Sequence, residues 1–292
     1  MTQFVKNALS ALCLLALLAP AAASAQPAAA PSLTQQPPPI TLEKVPVAAS
    51  AAFPDAQPIR SGLVWRVFED KGATSQPTLV AKSTNPTPSF SLTPGNYIVH
   101  VAYGFASASK RLTVQSGPTS ERLTVSAGAL KLRGAVGDTP IPADQLRFSV
   151  YLPVGSDTEG RLVVANAKTD DIIRLPEGTY HVVSTYGDAN AIMRADLKVE
   201  TGKVTEATLN HRAATVTLKL VASAGGEAFA GTAFSVLTPG GDVIREAIGA
   251  FPSVTLAEGD YVLIARHDGK VYNRDFKVES GLDRDIEIVV TP

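Results

Sequence analysis

A six-residue pattern, Leu-x-x-Gly-x-Tyr, recurs three times in the chain: Leu92-Thr-Pro-Gly-Asn-Tyr97, Leu175-Pro-Glu-Gly-Thr-Tyr180 and Leu256-Ala-Glu-Gly-Asp-Tyr261. The tyrosines at 97, 180 and 261 lie 83 and 81 residues apart. Each copy sets a glycine turn between a leucine and a tyrosine, then enters a run of alternating apolar residues. Such near-constant spacing requires a fold that repeats, with one unit per copy.

Three further signals keep register with this corner. An opening strand is expected at Thr41–Val47, Ala129–Arg133 and Thr215–Leu220, the first of them confined by Pro46 to an edge or a bulge. A second strand places Trp65, Phe148 and Phe234 at one matched, core-facing position. Closing segments read Leu112-Thr-Val-Gln-Ser-Gly117, Leu197-Lys-Val-Glu-Thr-Gly202 and Phe276-Lys-Val-Glu-Ser-Gly281, and a last strand follows each. Roughly six to seven short strands per unit, turned every 8–12 residues or so, are the signature of a β-sandwich. No helical period separates them, which disfavours a parallel βαβ arrangement.

The predicted fold is therefore all-β. Three tandem immunoglobulin- or prealbumin-like antiparallel β-sandwich domains occupy 40–126, 127–212 and 213–292. Ahead of them, Lys6, an apolar stretch from Ala8 to Leu18 and Ala23-Ser24-Ala25 read as a secretory signal peptide (1–25) cleaved after Ala25. Residues 26–39, with Pro37-Pro38-Pro39, read as an extended linker. The single cysteine, Cys13, lies inside the signal behind Leu12, a poor context for lipid attachment. The mature units thus have no disulfides and rest on their own cores. Junctions of a few residues near 126–128 and 211–213 favour stacked units over freely swinging ones.

In the corner itself, glycine gives the chain freedom to turn with a positive φ or to pack tightly. The tyrosine ring is then buried while its hydroxyl bonds to the backbone just upstream, which is the logic of the tyrosine corner. The pattern Leu-x-(Pro/Glu)-Gly-x-Tyr, followed by alternating valines and Val-x-(Ser/Thr)-Gly, resembles carboxypeptidase regulatory-like modules of transthyretin-like (prealbumin-like) fold. The same corner is similar to that of PEGA-type surface modules. The resemblance spans nearly all of residues 40–292. It implies an extracytoplasmic stacking, adhesion or ligand-display module, and it carries over no catalytic residue.

The residues offer little catalytic chemistry. Ser107-Ala-Ser-Lys110 matches Ser-x-x-Lys but has no helix to present it, and it is expected in a connection between strands. The four histidines, His100, His181, His211 and His267, stand at unmatched positions without ligand spacing, which suits exposed or edge side chains. The acidic pairs Asp170-Asp171, Asp157 with Glu159, and Asp283 with Asp285 lack the dense spacing of a calcium loop. No cofactor or metal is expected. A net charge of −1 gives no bulk attraction to nucleic acid or to anionic lipid.

Tyr103, Tyr186 and His267 each follow a corner tyrosine by six residues and lie near a glycine turn, so they ring one end of each sandwich. They are the candidate ligand-binding residues. The leading expectation is a non-enzymatic exported scaffold or binding protein of the bacterial cell envelope, periplasmic or secreted. Its expected partner is an envelope protein or cell-wall polymer, with no nucleic acid and no transmembrane segment after signal cleavage. The alternative is a carbohydrate- or cell-wall-binding protein that uses those loop-end aromatics.

Overall fold

The computed structural model describes residues 43–72, 75–155 and 160–290. The signal peptide, the linker, Thr41 and Leu42 of the expected first strand, and Asp157 with Glu159 lie outside the described residues. The first repeat contains β1 (Val45–Ala52), β2 (Leu63–Glu69), β3 (Thr78–Ser83), β4 (Ser89–Leu92), β5 (Gly95–Tyr103), β6 (Ala106–Val114) and β7 (Thr119–Thr124). The second contains β8 (Ala127–Val136), β9 (Thr139–Pro140), β10 (Leu146–Leu152), β11 (Arg161–Ala167), β12 (Ile172–Pro176), β13 (Gly178–Tyr186), β14 (Ala191–Val199) and β15 (Val204–Asn210). The third contains β16 (Ala213–Val221), β17 (Thr232–Leu237), β18 (Val243–Gly249), β19 (Ser253–Ala257), β20 (Gly259–His267), β21 (Lys270–Val278) and β22 (Arg284–Val289).

Each repeat pairs a sheet of the type β4-β1-β7 with one of the type β3-β2-β5-β6. The second repeat uses β12-β8-β15 and β11-β10-β13-β14, and the third uses β19-β16-β22 and β18-β17-β20-β21. The protein is all-β, as the strand and turn spacing predicts. Period-two alternation decides which residues go inside: along β2, Leu63, Trp65 and Val67 are buried while Val64, Arg66 and Phe68 are partly exposed. Trp65, Phe148 and Phe234 each sit at the centre of one of three separate apolar cores.

Strand direction is the part that alternation does not reveal. In every repeat the first and last strands pair in parallel: β1 with β7, β8 with β15, and β16 with β22. The remaining neighbours are antiparallel. This one parallel pair has a large consequence. A last strand parallel to the first leaves the repeat at the end opposite its entry, so the next repeat begins where its predecessor finishes. Only Val125-Ser126 and His211-Arg212 separate the repeats, and Ala127 and Ala213, the first residues of β8 and β16, are buried in the preceding cores.

The opening strand departs from expectation. Observed β1 runs to Ala52 and is central, between β4 and β7, rather than confined to an edge. Pro46 is tolerated because the parallel ladder to β7 starts one residue later, at Val47 opposite Thr119. The missing N–H of Pro46 therefore removes no bond on that side.

Candidate functional site

The three corners share one hydrogen bond. The hydroxyls of Tyr97, Tyr180 and Tyr261 donate to the carbonyls of Thr93, Pro176 and Ala257, at 2.8, 3.0 and 2.8 Å. All three tyrosines are buried. The glycines contribute less uniformly than expected: Gly95 has no positive φ, and a Cβ there would rest at an ordinary 3.6 Å from the Tyr97 ring. The corner is thus a folding element, and its hydroxyl proton is given to the backbone.

Tyr103, Tyr186 and His267 end β5, β13 and β20, the same place in each repeat. The structure does not gather them; each has a different local neighbourhood. Tyr103 packs edge-on against Phe53, and the Arg174 guanidinium of the second repeat lies 5.0 Å from its ring centre. Tyr186 is buried and packs edge-on against His211. His267 stacks on Phe229 with ring centres 5.1 Å apart. Two of the three rings are therefore engaged where one repeat meets the next.

The junctions are built around the turns that follow these residues. At the first, Phe105 N–H donates to the Arg174 carbonyl at 3.0 Å, so the β5–β6 turn caps the outer edge of β12. At the second, Asn190 of the β13–β14 turn bridges the third repeat. Its Nδ2 donates to the Tyr261 hydroxyl at 2.9 Å and its Oδ1 accepts from Ala257 N–H at 3.0 Å. Asp188 pairs with Arg245 at 2.5 Å, and Arg212 forms two bonds to Glu258, both at 2.9 Å. These ion pairs are largely exposed, so orientation is set mainly by the Asn190 bridge and the seated alanines. Each junction leaves a cleft, of about 370 Å³ beside Gly104, Phe105 and Arg174 and of about 420 Å³ beside Tyr186, Thr215 and Asp283.

His211 corrects the expectation of exposed or edge histidines. It is buried in the link between the second and third repeats. Its Nε2 shares a hydrogen bond with the Ser184 hydroxyl at 2.8 Å. Ser184 is fully buried, so the pair is a satisfied core contact rather than a nucleophile and its base. Burial pushes the His211 imidazole below its ordinary value of 6.5, and the Ala191 carbonyl offsets this in part.

The folded state prefers the neutral ring, so below about pH 6.5 the unfolded chain binds a proton that the folded chain refuses. Stability from this group is complete above that pH and falls as the pH drops toward the depressed folded value. The denaturation midpoint is expected to be lower at about pH 5 than at about pH 7.5, with the difference shrinking in His211→Gln. His100, depressed by burial and then by Arg66, adds a residual change of the same sign. A variant with an unaltered pH dependence would assign the effect elsewhere.

Ser107 and Lys110 are in β6 rather than in a connection, and Lys110 pairs with Glu121 at 2.5 Å. Three residues apart on a strand, their side chains leave opposite faces and cannot act together. Asp170 is held below the usual carboxylate range by its bond to Arg133, and Asp283 accepts from Thr215 N–H at 2.7 Å. Among the described residues no group of three His, Cys, Asp or Glu side chains is placed to hold a metal ion.

Residues 215–290 match the Rhizobiales growth-associated tandem repeat domain. The match covers the third repeat, from Thr215 in β16 to Val290 just beyond β22. No curated protein matches the chain. Among solved structures, the chain is similar to the Bacillus anthracis TIE protein, at 16% identity over 85% of this chain and 50% of that one, with a TM-score of 0.27. It is also similar to GBS52, the minor pilin of Streptococcus agalactiae, at 14% identity over 57% and 95% of the two chains and a TM-score of 0.32. BcpA, the major pilin subunit of Bacillus cereus, gives 12% identity over 84% and 99%, with a TM-score of 0.25. The chain spans half the length of the Bacillus anthracis protein.

Sequence reasoning singled out the ring positions but not Gly104, Gly187, Arg174 or Asn190, which make the junctions. One signal was available. Tyr-Gly stands at 103–104 and 186–187, and His-Asp stands at the matched 267–268.

Proposed function

We propose that the chain is an exported, non-enzymatic scaffold or binding protein of the bacterial cell envelope. In this reading a signal peptide is removed after Ala25, and three sandwich units, 40–126, 127–212 and 213–292, present their edges and loops to an envelope protein or cell-wall polymer. The observation that carries it is the use made of the repeated features. The corners hold each sandwich together, and the turns after Tyr103 and Tyr186 hold neighbouring repeats in register. What is repeated is structural, as in a spacer or display array. The matched domain's description as growth-associated and tandemly repeated supports this. The likeness of the corner to carboxypeptidase regulatory-like and PEGA-type modules supports an extracytoplasmic place. Among the described residues no helix is long and apolar enough to cross a membrane.

The surfaces left for a partner include the outer edge strands β3, β11 and β18, which expose Leu79, Leu162 and Ile248. Apolar side chains on an unpaired edge suit strand addition by a partner. A photo-crosslinking residue at each of these positions, in living cells, is expected to trap a discrete envelope adduct from at least one of them. A chain that stays in the cytoplasm, or that gives no adduct at any of the three, would remove the reading. Cell-wall sedimentation addresses the carbohydrate alternative. Because Tyr103 and Tyr186 are engaged at junctions, any binding is expected to survive Tyr103→Ala and Tyr186→Ala, and its loss in the folded variants would favour the alternative.

A further inference from the structure

The two internal junctions use one pair of surfaces. The donor is the turn after β5 or β13, and the acceptor is the free edge of the next repeat's β12 or β19 at the residue before the corner leucine. β6 lies against β12 and β14 against β19. The approach is close: a Cβ on Gly104 would stand 2.6 Å from Arg174 Cβ and 2.7 Å from its carbonyl oxygen, and one on Gly187 would stand 2.7 Å from Thr255 Cβ. Both glycines have φ in the left-handed region, 64° and 71°. The closing glycines repeat the pattern. Gly202 faces the Phe53 ring at 3.7 Å and Gly281 faces Val136 at 3.6 Å, each across a junction.

Among the described residues, the first and third repeats each carry half of this arrangement. In the first, β4 occupies the place of β12 and β19: Ser91 opposes Pro46 as Arg174 opposes Ala129 and Thr255 opposes Thr215. It is an edge strand with Ser89 and Ser91 exposed, and a Cβ on Gly117 would meet nothing within 4 Å among the described residues. In the third, the turn after β20 is the matching donor, but Asp268 (φ 46°) stands where the other two have glycine. The closest clash at both internal junctions is with Cβ, joined at the first by backbone, and Ser91 has these atoms too, so a smaller acceptor residue does not relieve it.

We propose that the edge of β4, free among the described residues, is an unfilled copy of the internal docking surface, and that Asp268 prevents the third repeat of a second copy of this chain from filling it. Without that block the two surfaces would join copies head to tail. Such a contact is heterologous, and it grows into open chains unless its rotation happens to close a ring. Repeat arrays grow through such unit-to-unit contacts, and here a single Cβ blocks one.

The test is sedimentation velocity on three full-length folded proteins up to about 1 mM, the effective concentration that a short linker gives the internal junctions. Wild type is expected to remain monomeric. His267→Tyr/Asp268→Gly, which restores the Tyr-Gly donor, is expected to raise the average mass about two-fold near that concentration. Adding Ser91→Trp is expected to return it to monomer. Three results would overturn the proposal. The double variant could stay monomeric with an unchanged thermal midpoint, or its association could survive Ser91→Trp. Wild type could itself associate in a way that Ser91→Trp abolishes. If the double variant does not fold, Asp268→Gly alone serves, since glycine takes that φ without strain.

Discussion

Phe148→Ala is expected to destabilise the middle repeat by about 3–5 kcal/mol. Phe148 is fully buried in the middle of β10, between Leu146 and Val150 on the same face, in a core shared with Leu130, Leu132, Leu175 and Tyr180. Removing the ring forfeits its transfer energy and leaves a cavity that a close-packed sandwich cannot easily collapse. The only tryptophan, Trp65, is in the first repeat's separate core, so its fluorescence reports that repeat alone. Circular dichroism sums over all three. In denaturant the variant's dichroism midpoint is expected to fall, while the Trp65 midpoint moves less because only the junction links the cores. A loss below about 1 kcal/mol would show that Phe148 is not central to a packed core. Equal shifts in both probes would show that the repeats unfold as one unit.

That experiment rests on features that were legible in the residues, and the contrast with those that were not is physical. A core-facing position declares itself through alternation, because side chains on a strand point to opposite faces with period two. Trp65, Phe148 and Phe234 therefore identify themselves without coordinates. The corner tyrosines do so through a local bond, four residues back along the chain. Strand direction has no such local trace. The pattern along β7 reads the same whether it runs with β1 or against it, and the parallel pairing that makes the array advance is invisible in one dimension.

The same limit hid His211 and Asn190. Their partners, Ser184 for the one and Ala257 and Tyr261 for the other, lie 27, 67 and 71 residues away. Pro46 misled for a related reason. A proline's cost in a sheet depends on which flank of the strand is paired at that residue, and that is a matter of register between distant segments. The candidate residues Tyr103, Tyr186 and His267 occupy one structural position, the ends of β5, β13 and β20. What distinguishes them is what packs on each: Arg174 of the next repeat on Tyr103, His211 of the link on Tyr186, and Phe229 of the same repeat on His267.

Gly128→Ala is expected to cost about 3 kcal/mol or more, although it adds a single methyl group to a strand that favours larger residues. In the second repeat the turn before β15 folds over the start of β8. Gly202 N–H donates to the Ala127 carbonyl at 2.8 Å, and Ala129 N–H donates to the Lys203 carbonyl at 2.9 Å. The backbone is thereby pulled onto Gly128: a Cβ would stand 2.1 Å from the Glu200 carbonyl oxygen and 2.9 Å from that of Lys203. Carbonyl oxygens fixed by flanking hydrogen bonds cannot swing aside as a side chain would. The third repeat shows what relieves the crowding. Its matched residue is Ala214, opposite Leu256 as Gly128 is opposite Leu175. There Thr215 N–H donates to the Asp283 carboxylate rather than to a backbone carbonyl, and the parallel ladder begins one position later, at Val216. The longer reach of a side chain leaves room for the methyl group. For a repeat of this size the thermal midpoint of the middle repeat should fall by about 12 °C or more. Ala214→Gly, which only removes a methyl group from a roomier site, should cost about 1 kcal/mol. If Gly128→Ala leaves the midpoint within about 1 °C of wild type, the turn yields more easily than its hydrogen bonds imply, and the close approach of these two segments is not what fixes β15 beside β8.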